Sequence, residues 1–193
     1  MLKLFSLNAI LFLVVTYSTN AHAAPVRVEQ ILSKPNSSIK FGVQSPSPTL
    51  QMNGEFTRFS GKLVLNPTNV EDSTVSLMLD LRSLQLPPDQ LIQTIFAQTA
   101  LAQVKQPEPI FTSDSISRIS GSRYSVAGMY TWQGKKKPTQ FPIEILKASQ
   151  SESIIKVALN GDTKNKDAPP ELGGMEIAGS RGWAKGVLVF RSK

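Results

Sequence analysis

Cysteine is absent from the chain and histidine occurs once, at His22. The first absence excludes disulfides, thiolate metal ligands and cysteine nucleophiles. The second makes the position of His22 decisive. Lys3 is followed by an apolar stretch, Leu4 to Val15, broken only by Ser6 and Asn8, and then by Ala21-His22-Ala23. A positive start, an apolar core and an A-x-A site mark residues 1–23 as a secretory signal peptide, with the mature chain expected to begin at Ala24. The apolar core falls short of the ~20 residues that a membrane-spanning helix requires. Cleavage would remove the lone histidine. Ser-His-Asp catalysis, and metal sites built on imidazole or thiolate, are then excluded from the mature chain. No cysteine follows the cleavage site to carry a lipid anchor.

Other scarcities narrow the reading further. There is no Gly-rich phosphate loop and no carboxylate pair at a spacing that suggests general acid and base. A histidine-free hydrolase or isomerase is the weakest reading, and the chain is read as no enzyme. The formal charge is +7, and losing Lys3 leaves +6. Only Lys135-Lys136-Lys137 is a true basic run, at an expected turn. Without a basic stripe or a recognisable motif, nucleic acid is not a partner. The run reads as solvated turn charge or as a contact for anionic headgroups, worth ~1 kcal/mol per basic residue near such a surface.

What is present is alternation. Removing 23 of 193 residues leaves 170, so residues 24–193 are read as one domain with a substantial core. From Ser73 to Arg82, Val75, Leu77, Leu79 and Leu81 point one way, while Ser76, Asp80 and Arg82 point the other. Such period-2 alternation means a sheet with one face covered. Ile39, Phe41 and Val43 alternate likewise, as do Phe59, Leu63 and Leu65 around Gly61, read as a bend or bulge. Tyr124, Val126, Gly128, Tyr130 and Trp132 share a face. So do Phe141, Ile143 and Ile145, then Ile155, Val157 and Leu159; Gly186 to Phe190 is a final strand. Asn53-Gly54 reads as a short turn, Asn66-Pro67-Thr68-Asn69 opens a loop, and Gly121-Ser122 and Gln133-Gly134 are further breaks. Short connections imply antiparallel neighbours.

Two segments differ. Asp89 to Val104 lacks Gly and Pro, with Asp89 as a cap and Ile92, Ile95 and Phe96 at helical spacing, so one short helix is expected there. Asp162 to Gly182 holds Pro169-Pro170 and Gly173-Gly174 and reads as a long loop. Many strands, one helix and no cysteine leave an all-β barrel or a sandwich.

Several stretches together resemble the YceI-like polyisoprenoid-binding family. They are SIKFGV at Ser38 to Val43, GEFTRFSGKLVLNPTNVEDS at Gly54 to Ser73, and the alternating strand Ser73 to Leu84. YSVAGMYTWQGKKKPTQFP at Tyr124 to Pro142 carries the best-marked segment through Gly128, Thr131, Gly134, Lys137 and Pro138. Pro109-Ile110-Phe111-Thr112-Ser113 resembles a further strand start. Gln44 and Gln133 stand near places where that family usually has histidine. The likeness spans about residues 27–160. It implies an extended, antiparallel, lipocalin-like β-barrel that is secreted to the periplasm and holds a long isoprenoid, polyprenyl or quinone-like, in its lumen. No other cofactor is implied.

Candidate lining residues are Phe41, Val43, Phe59, Leu77, Leu79, Tyr130, Trp132, Phe141 and Ile143. Tyr130 and Trp132 add a polar tip to a large apolar face, and Met52, Met78 and Met129 offer an adaptable wall. Parity gives such residues a common side without saying which. The alternative is a solid core, in which case the chain is a non-enzymatic envelope interaction module with no bound lipid. Lys135, Lys136 and Lys137 are the candidate headgroup or membrane contact, and a homodimer is compatible with the sequence.

Overall fold

The computed structural model describes residues 26–44, 51–90, 94–95, 98–99, 102–162 and 181–193. The secretory signal, residues 163–180 of the expected loop, and Ile92 and Phe96 of the expected helix lie outside the described residues. What is described of that helix is limited to a 3-10 turn, Pro88–Gln90, and helical residues 94–95, 98–99 and 102. Asp89 lies inside that turn, ahead of the described helical residues.

Eleven strand segments form one antiparallel sheet among the described residues: β1 (Val28–Leu32), β2 (Ser38–Gln44), β3 (Met52–Phe56), β4 (Phe59–Leu65), β5 (Thr74–Leu79), β6 (Leu84–Gln85), β7 (Ile110–Ser120), β8 (Arg123–Trp132), β9 (Lys135–Ala148), β10 (Glu152–Asp162) and β11 (Arg181–Ser192). The first six are three bent strands. β1 runs into β2 through a 3-10 turn at Lys34–Asn36, β3 into β4 at Thr57 and Arg58, and β5 into β6 through a 3-10 turn at Leu81–Ser83. The bends lie side by side, because β1 pairs with β4 where β2 pairs with β3, and β4 pairs with β5 where β3 pairs with β6. Ser83 fastens two of them: Arg58 N–H donates to its hydroxyl at 2.9 Å, and that hydroxyl donates to the Asp80 carbonyl at 2.6 Å. Counting each bent strand once gives eight. β11 then pairs with both β1 and β2, which closes the sheet into a barrel without a free edge at that junction.

The two ends of the barrel differ. At one end the connections are short: the loop after Asn66, the turn at Gly121 and Ser122, and the turn at Ser149–Ser151. Asn66 organises its loop by accepting at Oδ1 from Thr68 N–H, the Thr68 hydroxyl and Asn69 N–H. This end is sealed. Phe190 is fully buried, with Leu63, Leu65, Val126, Ile116, Tyr124, Ile155 and Leu188 around it. Each such side chain contributes roughly 1.5–3 kcal/mol by leaving water. Gln30, also fully buried, crosses the floor and donates its amide to the carbonyls of Ser149 and Gln150 at 2.7 and 3.2 Å. At the opposite end, the mouth, β2 ends and β3 begins, β10 ends and β11 begins, and the helical segment precedes β7.

Several local expectations are corrected. Gly61 is no bulge: it pairs in register with Leu77, and a Cβ there would meet Leu77 Cδ2 at 2.7 Å and Ser76 O at 2.9 Å. The glycine is a matter of packing, and the bend falls at Thr57 and Arg58. Asn53-Gly54 is no turn but the middle of β3, where Gly54 leaves room for Phe41 and Leu86. The strand begun at Thr74 stops at Leu79, because Asp80 accepts Arg82 N–H at 2.9 Å and caps a 3-10 turn; its ion pair is with Arg58 at 2.8 Å. β10 extends through Asp162, and β11 begins at Arg181. The lysine run is not in the turn. Gln133 and Gly134, at φ 49° and 74°, make the turn, and Lys135–Lys137 open β9.

Candidate ligand-binding site

The strand register settles which side each candidate faces. Directly paired residues share a face of the sheet. Leu77 pairs with Phe111, and Phe111 with Tyr130. Val126 pairs with Phe141, and Tyr124 with Ile143. Phe59 pairs with Leu79, while Phe41 pairs with Gly54 on one side and Ala184 on the other. The apolar residues other than Tyr130 belong to or pack against one core cluster, and Tyr130 shares the face of its partner Phe111, which places Phe41, Val43, Phe59, Leu77, Leu79, Tyr130, Trp132, Phe141 and Ile143 on the inner face.

They do not share one depth or one degree of burial. Phe41, Phe59 and Ile143 are buried among neighbours and belong to the packed interior. Val43, Leu77, Leu79, Tyr130, Trp132 and Phe141 turn inward yet remain only half-buried, as do Leu84, Val157, Leu159 and Ala184. An inward residue of a closed barrel keeps accessible surface only where space is left beside it. The half-buried set lies above the floor but is interleaved with buried residues, since Phe59 pairs with Leu79, Phe111 with Leu77 and Tyr130, and Phe41 with Ala184. The half-buried residues form a partly accessible apolar cup above the packed floor.

Tyr130 reports on this environment. Burial alone pushes its phenol up to about 12, so the ring stays neutral across the physiological range. Phe111 and Phe141, their centroids 4.9 Å apart, line the same region. The Trp132 indole N–H donates to the Gln106 carbonyl at 2.8 Å, so the polar tip ties the segment before β7 to the end of β8. Met52 is buried on the inner face beside Val43, whereas Met78 and Met129 fall on outward positions and form no part of the wall.

The lysines divide by the same parity. Lys135 pairs with Trp132 and Lys137 with Tyr130, on the lumen-facing register, while Lys136 pairs with Thr131 on the outer one. Sequence reasoning missed Phe111 and Ala184 as wall residues. Phe111 was visible only as part of a strand start, and Ala184 lies in the part of β11 that small residues hide from a hydrophobic pattern. Among the described residues no group of three or more Asp, Glu, His or Cys side chains stands together to hold a metal ion.

Residues 31–172 match the YceI-like domain. The chain belongs to the YceI-like family. Solved structures share the fold. BcnA of Burkholderia cenocepacia aligns with a TM-score of 0.63 at 16% identity, covering 82% of this chain and 98% of that one. A polyisoprenoid binding domain from Saccharophagus degradans, implicated in plant cell wall breakdown, aligns at 0.56 and 13% identity, covering 87% and 100%. The YceI protein of Campylobacter jejuni aligns at 0.52 and 14% identity, covering 72% and 85%. At these identities the likeness is one of fold. No curated protein shows a significant match to the sequence. This YceI-like chain therefore presents the family's barrel.

Proposed function

We propose that this YceI-like protein is a secreted, periplasmic carrier that holds a long isoprenoid chain, polyprenyl or quinone-like, in the upper half of its barrel. The observation that carries the reading is the ring of inward-facing, half-buried apolar residues above a sealed floor. The Saccharophagus domain of the same fold, described as polyisoprenoid binding, supports the choice of ligand. The leader-like residues 1–23 support the compartment.

The energetics suit a long tail. Each methylene withdrawn from water contributes ~0.8 kcal/mol, so ten contribute roughly 8 kcal/mol before the costs of association and chain ordering. No charged group is required in the cup, and binding needs no catalytic step. Lys135 and Lys137, on the lumen-facing register at the mouth, are placed to meet a polar or anionic headgroup, and Lys136 to meet an anionic membrane surface.

Organic extraction and native mass spectrometry of protein purified from its own host test the reading. The expected result is a co-purifying polyprenyl or quinone species in stoichiometric amount. Lipid-free protein that also fails to bind added C20 polyprenol would overturn it.

A further inference from the structure

One side of the barrel wall is not closed to the top. β9 and β10 pair from Ser153 with Ala148 up to Val157 with Ile143, and no further. Both strands continue past that point. Residues 135–142 of β9 stay paired with β8 alone, and residues 158–162 of β10 stay paired with β11 alone. On the far side of β11 the ladders run on toward the mouth, while β6 pairs with β3 alone. β11 pairs with β2 up to Gln44, and β2 with β3 up to Met52. Above the β5–β7 ladder, Leu79 and Leu81 donate their N–H groups to the carbonyls of Pro109 and Pro107. Five unpaired residues of β10, at ~3.4 Å each, make a seam about 17 Å long.

The sequence explains why the ladder stops. Trp132 and Lys135 flank a two-residue turn with both φ values positive, and such hairpins close on a doubly hydrogen-bonded pair. Alternation from that pair turns the backbone groups of odd-numbered β9 residues toward β8 and those of even-numbered residues toward β10. Pro138 and Pro142 are even-numbered, so the donors they lack are donors to β10. Pro142 stands one step beyond the last pair. Below it the outer face is closed by an ion pair, Lys156 to Glu144 at 3.7 Å. From the last pair upward the inner lip is apolar: Val157 in that pair, and Phe141 and Leu159 beyond it, face inward and are half-buried.

We propose that this proline-edged seam between β9 and β10 is a lateral portal through which an apolar chain slides into and out of the lumen. The inference rests on the carrier reading and adds its route. A sideways gap suits a ligand leaving a membrane, because the tail can pass between apolar lips instead of being threaded end-on past the Trp132–Gln106 bridge. Pro138 and Pro142 then have a function, which is to keep β9 from zipping onto β10.

A staple across the seam tests this in a chain with no native cysteine to interfere. In Gln140→Cys/Ala158→Cys both positions are exposed and both prolines are kept. Bridging with a short bis-maleimide joins the lips, and the unbridged protein is its own control for folding. The probe is C20 geranylgeraniol carrying a nitrobenzoxadiazole fluorophore, and loading is followed by stopped-flow fluorescence. Bridged protein is expected to load and release at least tenfold more slowly at unchanged Kd. Equal rates before and after bridging would overturn the portal. Absence of binding in both unbridged and wild-type protein would instead overturn the carrier reading.

Discussion

Leucine truncated to alanine at two heights in the barrel separates a hollow interior from a filled one. Leu63 lies in the floor at 2% exposure, opposite Val75 and beside Phe190. Leu79 faces the same interior, opposite Phe59, but is only half-buried. Leu63→Ala removes three carbons at ~0.8 kcal/mol each, roughly 2.4 kcal/mol of transfer energy. It also opens a cavity in a rigid surround, which brings the expected loss to about 3–4 kcal/mol. Leu79→Ala deletes the same atoms from a side chain that already borders free space. No new cavity forms, and the expected loss is about 1–1.5 kcal/mol. The gap of about 2 kcal/mol corresponds to roughly 4–8 °C in Tm for a chain of this size. Urea titration of delipidated protein reads it directly, with equal m-values confirming that only stability has moved. Ligand affinity should order the two variants the other way, with Leu79→Ala weakening binding and Leu63→Ala leaving it unchanged in folded protein. Losses of 3–4 kcal/mol at both sites would refute the reasoning, because they would mean that the upper half is packed as tightly as the floor.

Gly128→Val should abolish folded protein, since a Cβ there would stand 2.7 Å from Ser113 Cα and 2.9 Å from Phe111 Cζ; soluble expression with native circular dichroism would contradict it. Glu152, which pairs with Lys147 at 2.9 Å and Arg191 at 3.0 Å, has its carboxyl held below 4.5 first by its hydrogen bond to Lys147 and then by that to Arg191. A carboxyl lowered by folding stabilises above its unfolded pKa, and that stabilisation is lost as pH falls through the folded value. Thermal scans should therefore show Tm falling below pH 4.5 more steeply in the parent than in Glu152→Gln, and parallel curves would exclude the effect. Charge reversal of Lys135, Lys136 and Lys137 together should weaken sedimentation with phosphatidylglycerol vesicles at least tenfold at low salt, and unchanged binding would remove the membrane contact.

The strands were legible because their inner faces are apolar and their outer faces polar, as from Val75 to Leu79 and from Tyr124 to Trp132. Closure of the sheet into a barrel was legible through the family resemblance and not through the alternation, because β11 closes it through Gly182, Ala184 and Gly186, residues with little hydrophobic signal. The bends were missed for a related reason. Asn53-Gly54 has turn chemistry and Asp80 has strand parity, but neighbouring bent strands override both. Parity put the candidate residues on common faces and could not tell lumen from exterior, since that depends on which way the finished sheet curls. Nor could it rank depth, so buried Phe59 and half-buried Leu79, paired side by side, read alike. Nothing local announces that Gln106 would take the Trp132 N–H.

Gln30 lies opposite Ser192, and Leu32 opposite Phe190. The first strand thus finds one of its two neighbours only in the last. Until the final dozen residues arrive, the molecule is an unrolled ribbon with a raw margin on each side. A polypeptide made amino end first must therefore leave that margin of β1 company-less until β11 arrives. Deleting the tail from Arg181 onward would yield a sticky, self-associating sheet rather than a shorter container.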